Sequence, residues 1–238
     1  MKLDFARAAL AAAAAGRSAA IATNLRSGLQ TLVEGSDRTG DLALDQACLA
    51  AIEAAVRDDR STTIDTAEGP VFIEVFNPSL RCLVVGAVHI AQPLAQMAAL
   101  AGYAVTIIDP RSAFASEARF PGVSLSTEWP DDAFAVLRPD RRTAIVTLTH
   151  DPKIDDPALT AALRSDAFYI GALGSKKTHA ARCRRLAEAG FGERDLARIH
   201  GPVGLDIGAL SPAEIAVSIL AQITATLRAD RVKARAAA

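Results

Sequence analysis

The chain has 238 residues, of which 50% are hydrophobic and 22% are charged, with a net charge of −1. The balance of 26 basic and 27 acidic side chains argues against nucleic acid as a partner, and the apolar stretch 8–15 is too short to cross a bilayer. Asp4 before this stretch and Gly16-Arg17 after it make it a poor signal peptide. Three scattered cysteines without C-x-x-C spacing argue against a disulfide framework or a structural metal. We therefore expect a cytoplasmic protein with no nucleic-acid or membrane partner.

The first part of the chain, residues 1–78, predicts a small α/β domain. Hydrophobic periodicity indicates helices over 4–15 and 44–56, strands over 19–25 and up to Val33, and a strand hairpin of 62–66 and 71–76 that turns at Glu68-Gly69-Pro70. Cys48 falls on the apolar face of the second helix, where a packed thiol is expected. Pro78 favours a boundary, because proline cannot continue a strand ladder.

The second part, residues 79–238, predicts a Rossmann-like, doubly wound parallel sheet. Continuous apolar runs are typical of strands buried on both faces. They alternate with helical segments as follows: strands over 82–85, 105–108, 144–148 and 168–170, and helices over 90–101, from Asp156-Pro157 onward, over 175–189 and from Ser211 onward. Ser211 and Glu214 form a capping-box pattern at the start of the last helix.

Polar and glycine-rich segments follow the predicted strands. Ligands of open parallel sheets bind beyond the carboxyl ends of the strands. Three of the four histidines, His89, His150 and His179, lie in such segments, and His200 precedes a glycine-rich turn. One interpretation is that these loops line a single pocket. The other is that loops collect polar residues without any shared function.

The first strand-to-helix turn has the position of a dinucleotide fingerprint. Gly86 occupies the first glycine position and Ala91 the third, but Val88 places a β-branched side chain where the second glycine belongs. Asp109 lies at the end of the next strand, the usual place for a ribose-binding acid. The segment is open to two interpretations: an NAD(P) site made doubtful by Val88, or a Rossmann turn without a dinucleotide.

The segment 171–179 carries the strongest local signal. Gly171 and Gly174 precede a predicted helix start at Ser175, where free backbone amides and the helix dipole favour an anion. Lys176 and Lys177 add positive charge, although the spacing is not that of a Walker A loop. The alternative is an ordinary capped helix with solvated lysines.

A second glycine-rich segment, 200–209, contains Gly204 and Asp206. Such a segment needs unusual backbone angles or close backbone approach, and Asp206 is a candidate for orienting a polar ligand. The alternative is a turn that leads to the last helix. The carboxylate pairs Asp131-Asp132 and Asp155-Asp156 are interpreted as solvated turns and helix caps, and no complete catalytic constellation is recognised.

Long ordered segments of the second part resemble the xanthine dehydrogenase accessory-factor family (XdhC/CoxI-like). The matching segments are 83–91, 149–151, 169–179 and 199–216. The resemblance implies a non-catalytic chaperone that binds molybdenum cofactor, a phosphorylated pterin (molybdopterin) carrying the metal. Together with the strand-end positions described above, it gives these candidate cofactor-binding residues: Gly86, His89, Asp109, His150, Asp151, Gly171, Gly174, Ser175, Lys176, Lys177, His179, His200, Gly204 and Asp206.

The resemblance also implies partners. They are a client molybdoenzyme of the xanthine or carbon-monoxide dehydrogenase type and a cysteine desulfurase that supports sulfuration of the cofactor. Cys48 is a candidate molybdenum contact, and the alanine-rich first helix allows a homodimer. Two other hypotheses stay open: an NAD(P)-dependent oxidoreductase, and an interaction module that has kept the fold but no ligand.

Overall fold

The computed structural model describes residues 2–229 and contains two compact units, one ending at Ser79 and the other beginning at Leu80. Each unit has its own sheet with helices packed on both faces. No helix of the described chain combines the length and the apolar character needed to cross a bilayer.

The first unit is built on a five-stranded antiparallel sheet in the order β3-β2-β1-β5-β4. Its elements are α1 (Leu3–Ala14), β1 (Ala19–Asn24), β2 (Gln30–Glu34), β3 (Asp37–Gly40), α2 (Gln46–Arg57), β4 (Thr62–Thr66) and β5 (Gly69–Phe76). Side chains of a strand alternate between faces, so Ile21 packs with α1 while Ala20 and Ala22 pack with α2. The predicted hairpin is present, but β5 already begins at Gly69. Since Thr66 pairs with Gly69, the turn is formed by Ala67 and Glu68 and not by Glu68-Gly69-Pro70.

The second unit is built on a six-stranded parallel sheet in the order β11-β10-β9-β6-β7-β8. Its strands are β6 (Arg81–Val85), β7 (Ala104–Ile108), β8 (Ser124–Ser126), β9 (Thr143–Thr147), β10 (Tyr169–Ala172) and β11 (Ile199–His200). Its helices are α3 (Ala91–Leu100), α4 (Pro130–Leu137), α5 (Pro152–Leu163), α6 (Lys176–Glu188), α7 (Glu193–Leu196) and α8 (Pro212–Leu227).

Two apolar layers cover this sheet, which confirms the doubly wound α/β class. Val84 packs in the layer that contains α3 and α8, and its neighbour Val85 packs in the layer that contains α4, α5 and α6. Because both faces are buried, β6 reads in the sequence as a continuous apolar run. The strand order changes direction between β6 and β9, which makes their carboxyl ends the switch point of the sheet.

The predicted start of α5 at Asp156-Pro157 is wrong. The helix begins at Pro152, where the Asp151 carboxylate caps it by accepting from the Lys153 amide at 2.9 Å. Pro157 lies inside the helix and removes one backbone hydrogen bond. The helix continues because its buried face packs into the core, including Ala158 and Leu159, and this packing outweighs the lost bond.

Several short elements had no counterpart in the sequence prediction: β3, β8, α4, α7 and β11. Two of them, β8 and β11, have three and two residues and are held by ladder bonds to a neighbouring strand. Asp131 and Asp132 lie exposed in the first turn of α4, in agreement with their interpretation as solvated. Strands this short have too few residues to show a period of two.

Candidate functional site

The loops that follow the parallel strands meet at one edge of the six-stranded sheet. Val85, Thr147 and Ala172 are register partners at the ends of β6, β9 and β10. Backbone bonds continue the alignment past the strands, since the Leu148 amide donates to Val85 at 2.9 Å and the Leu173 amide donates to Thr147 at 2.9 Å. The segments that follow β6, β9 and β10, which the sequence analysis singled out, therefore lie side by side.

The turn after β6 is shaped by Gly86, which has φ +106°. A side chain there would place Cβ 2.6 Å from Cγ2 of Thr149 in the loop after β9. Glycine is required because the two loops touch across the switch point and because this φ disfavours other residues. His89 lies exposed just beyond the turn, before α3.

Asp109 follows β7 and is completely buried. Its carboxylate accepts from the Ala87 amide at 2.8 Å and from three nitrogens of Arg111, at 3.0, 2.9 and 2.8 Å. Burial raises the pKa of this carboxyl, but the hydrogen bonds from Arg111 and Ala87 outweigh burial and hold the pKa below its usual range. Asp109 thus fixes the turn and Arg111, and its oxygens already have protein partners.

The loop after β9 is held by a buried carboxylate that the sequence interpretation placed in solvent. Asp155 is 1% exposed, so the interpretation of Asp155 as a solvated cap is wrong. It accepts from the Thr149 hydroxyl at 2.6 Å and from the His150 amide at 3.2 Å. Burial raises its pKa. His150 is exposed with φ +64°, a strained backbone for a non-glycine residue, and Asp151 caps α5 beside it.

Arg182 is a buried cation that sequence reasoning missed. Its Nη2 donates to the Leu173 carbonyl at 2.9 Å and lies 3.5 Å from Oδ2 of Asp155. Its Nε and Nη1 have no hydrogen-bond partner among residues 2–229. The spacing of the helix could have indicated its burial, since Arg182 lies one turn before the buried Leu186 on the same face of α6. It was hidden by the many exposed cationic residues on this helix.

The loop after β10 leads directly into the N-terminus of α6. Gly174 has φ +142°, and the Ser175 hydroxyl caps the helix by accepting from the Thr178 amide at 3.1 Å. Lys176 and Lys177 are exposed in the first turn. The dipole of a three-turn helix, its first amides and two lysines together produce a positive potential at this edge.

The remaining two histidines are packed against the protein. A Cβ at Gly201 would lie 2.2 Å from Nδ1 of His179, so the ring covers the backbone there. The ring of His200 stacks on Tyr169 with centroids 4.7 Å apart. Burial lowers the pKa of both imidazoles, and for His179 the charge of Arg182 lowers it further.

The last three residues assigned to the cofactor lie in or near β10 and the turn before α8. Gly171 lies inside β10, where a Cβ would meet Val203 at 2.5 Å. Gly204 donates its amide to Gln222 of α8 at 2.9 Å and has φ +95°. Asp206 is exposed in the following turn. Close packing therefore accounts for the two glycines, while the Asp206 carboxylate is open to solvent.

Cys48 lies in the first unit, in the first turn of α2. Its side chain is 4% exposed and its amide donates to the capping carboxylate of Asp45 at 2.7 Å. Burial and the neighbouring Asp45 raise the pKa of the thiol, so the neutral form is favoured. Among residues 2–229, no group of three or more His, Cys, Asp or Glu side chains is arranged to hold a metal ion.

Comparisons with known proteins agree with this architecture. The uncharacterized protein YqeB of Escherichia coli is 33% identical over 157 residues, which cover 64% of this chain and 28% of YqeB. The molybdenum cofactor insertion chaperone PaoD of Escherichia coli is 33% identical over 148 residues, which cover 62% of this chain and 40% of PaoD. A Bacillus subtilis protein described as a probable xanthine dehydrogenase subunit is 34% identical over 157 residues, covering 66% of this chain and 46% of that protein. The chain thus spans less than half the length of these curated relatives.

The fold is also found in a solved structure. A crystal structure from Bacillus halodurans, described as a xanthine dehydrogenase, superposes with a TM-score of 0.73 at 23% identity, covering 95% of this chain and 64% of that one. The model of the XdhC Rossmann domain matches residues 82–223, the segment that holds every loop of the carboxyl edge. The chain therefore belongs to the XdhC Rossmann domain family.

Proposed function

We propose that this protein binds molybdenum cofactor as a cargo and assists its insertion into a molybdoenzyme of the xanthine dehydrogenase type. The proposal is supported by membership of the XdhC Rossmann domain family and by similarity to PaoD, a molybdenum cofactor insertion chaperone. The finer steps belong to the same proposal: a client dehydrogenase receives the cofactor, and a cysteine desulfurase supplies its sulfur.

The observation that carries the proposal is the α6 N-terminus at the carboxyl edge, where backbone amides and two exposed lysines favour an anion. The cofactor is a pterin with a phosphate group, and the α6 N-terminus presents free amides beside Lys176 and Lys177. The loop before it turns through Gly174, whose φ of +142° disfavours other residues and where a Cβ would lie 3.0 Å from Cγ2 of Thr178. A phosphate at this place would accept from backbone amides and be neutralised by the lysines.

The donor set of this edge is compatible with the proposed cargo. The metal of this cargo is held by the pterin itself, and the described residues contain no cluster that would bind a metal ion by protein ligands alone. Asp109 and Asp155, the buried carboxylates of the edge, are both engaged in hydrogen bonds to the protein. These two carboxylates therefore position the loops that would surround the proposed cargo.

Co-purification tests the proposal directly. The chain would be isolated from a molybdenum-replete host, and bound pterin would be identified by mass spectrometry together with the molybdenum content. We expect about one pterin per chain at saturation and a loss of about tenfold or more in retention for K176A/K177A, since two charge-assisted contacts are removed. Chain without pterin from a host that makes the cofactor would contradict the proposal.

A matched control separates charge at this helix from charge in general. The double variant R184A/R194A removes two exposed cations from α6 and α7 but leaves the α6 N-terminus unchanged. It should retain pterin as the unmodified chain does. Equal loss in both double variants would show that total charge, and not the α6 N-terminus, determines retention.

A further inference from the structure

A concavity lies beside the β6–α3 turn. It is a cavity of about 280 Å³ between that turn and the segment after β7. Ala87, Val88 and His89 line it from the turn, Gln92 from α3, and Arg111, Phe114 and Arg119 from the segment after β7. Of these residues, His89 alone is among the candidate cofactor-binding residues named in the sequence analysis.

The charged groups of this cavity are fixed in place. Arg111 is held by two bonds to the buried carboxylate of Asp109, at 2.9 and 2.8 Å, and its guanidinium carbon lies 4.8 Å from the centre of the Phe114 ring. Arg119 donates through Nη1 to the Phe114 carbonyl at 2.7 Å. Two preorganised guanidinium groups thus flank one opening, and guanidinium forks suit phosphate oxygens.

The rest of the lining is apolar or aromatic. Ala87 and Val88 provide an aliphatic wall, and Phe114 is 46% exposed, which leaves a large part of its ring free for contact. Apolar walls with a few convergent polar groups are the usual composition of a small-molecule site. A flat heterocycle can pack on such walls while an anionic substituent reaches the arginines.

Size and the turn restrict what enters. Sites for drug-sized ligands measure about 300–1,000 Å³, so about 280 Å³ suits one ring system with its substituent and not a whole dinucleotide. Val88 lines the cavity and places a side chain where the second glycine of a dinucleotide fingerprint lets a pyrophosphate approach. Asp109 cannot bind a ribose diol because its oxygens are bonded to Ala87 and Arg111, and an arginine at this position of a Rossmann fold accommodates a phosphate.

We propose that this cavity is a phosphate-monoester subsite: Arg111 and Arg119 bind the phosphate of a ligand whose flat ring packs against Val88 and Phe114. Two sources share this chemistry, a nucleoside monophosphate and a phosphorylated pterin. For the pterin source, the subsite rests on the proposed function and is an alternative position for the phosphate to the α6 N-terminus. For the nucleotide source, it follows from the cavity and its two arginines and does not depend on the chaperone role.

Matched pairs of probes test the subsite. The purified chain would be titrated calorimetrically with AMP against adenosine, and with 6-hydroxymethylpterin phosphate against 6-hydroxymethylpterin, so that each pair differs by one phosphate. We expect the phosphate to strengthen binding about tenfold or more in at least one pair. A gain in the first pair alone identifies a nucleotide, and a gain in the second pair alone identifies a pterin.

Variants test whether the arginines cause the stronger binding of the phosphorylated probes. R119A should remove most of the affinity gained from the phosphate, because only Arg111 remains to bind it. R119K should keep more of this gain, because a lysine retains the charge but loses the fork. R194A, at an exposed arginine of α7, should keep all of it. Circular dichroism confirms that each variant is folded, and R119K covers the case in which R119A is not. The proposal is overturned if phosphate brings no gain in either pair, or if the gain is undiminished in R119A. Because the experiment does not use the α6 lysines, its failure is distinguishable from failure of pterin retention.

Discussion

Arg182 and Asp155 form an ion pair inside the second unit, with both side chains 2% exposed. Arg182 reaches the carbonyl of Leu173, after β10, and Asp155 reaches the hydroxyl of Thr149, after β9. Through this pair, α5 and α6 hold two neighbouring loops of the carboxyl edge in fixed positions. Arg182 and Asp155 are positioning residues, since they act on the edge through other groups.

Removing one member of this pair should be costly. R182A leaves Asp155 buried without its cation, and we expect the free energy of unfolding to fall by about 3–5 kcal/mol in urea denaturation. The apolar double replacement D155L/R182M should recover part of this loss, because no uncompensated charge remains. The control is R185A, which breaks the more exposed Arg185–Asp156 pair and should cost less than about 1 kcal/mol. Equal costs for R182A and R185A would contradict the positioning role.

The contact between Gly86 and Thr149 predicts a steric effect with a specific rescue. G86A adds a Cβ that meets Cγ2 of Thr149 at 2.6 Å, on a backbone with φ +106°. G102A is the control: Gly102 has φ +87° and open space around an added Cβ, so this substitution introduces only the backbone strain, about 1–3 kcal/mol. We expect G86A to lower the melting temperature more than G102A does, and G86A/T149S to recover the difference because serine lacks Cγ2. Identical melting temperatures for the two single variants would show that the loops are not in contact.

Acid should destabilise the second unit through its packed histidines. The pKa of His179 and of His200 lies below the ordinary 6.5 because burial disfavours the charged imidazole. The unfolded chain therefore takes up protons first as the pH falls through 6.5, and stability present above that pH is lost below it. Thermal melts from about pH 7.5 to about pH 5.5 measure this loss. H200F keeps a flat ring on Tyr169 and should flatten the dependence, whereas H89F, at an exposed position, should not.

Val88 separates the chaperone hypothesis from the oxidoreductase hypothesis. V88G restores the second glycine of a dinucleotide fingerprint. We nevertheless expect neither the unmodified chain nor V88G to bind NAD(H) or NADP(H) as whole dinucleotides at micromolar concentration, since Asp109 is buried and bonded. Nicotinamide fluorescence on mixing is the measurement. Micromolar binding that V88G strengthens would favour the oxidoreductase.

The three cysteines should differ in reactivity. Burial raises the pKa of Cys48, and it raises the pKa of Cys82 to about 12, whereas Cys183 is half-buried with its sulfur 3.5 Å from Nε2 of His179. Since the thiolate is the reactive form, Cys183 should be alkylated first by iodoacetamide in the folded protein. Peptide mass spectrometry over time gives the order. Faster labelling of Cys48 would show that α2 opens readily or that its thiol is activated.

Local chemistry made many elements predictable. Ser175 and Ser211 cap helices because their hydroxyls bond to amides three residues later, an interaction that needs only a few residues of chain. The continuous apolar run at 82–85 predicted a strand buried on both faces for the same local reason. The helix start expected at Asp156-Pro157 was wrong, because α5 begins at Pro152 and its packed face continues past Pro157.

The sequence by itself determined the doubly wound class, the glycine-rich loops and their order along the chain, because side-chain period and turn chemistry act over short distances. Only the tertiary structure decided that Arg182 lies buried beside Asp155, that Asp109 faces inward, and that Arg111 and Arg119 share one cavity. Those relationships join residues up to 27 positions apart, and a charged residue has the same appearance in the sequence whether its partner is water or another side chain.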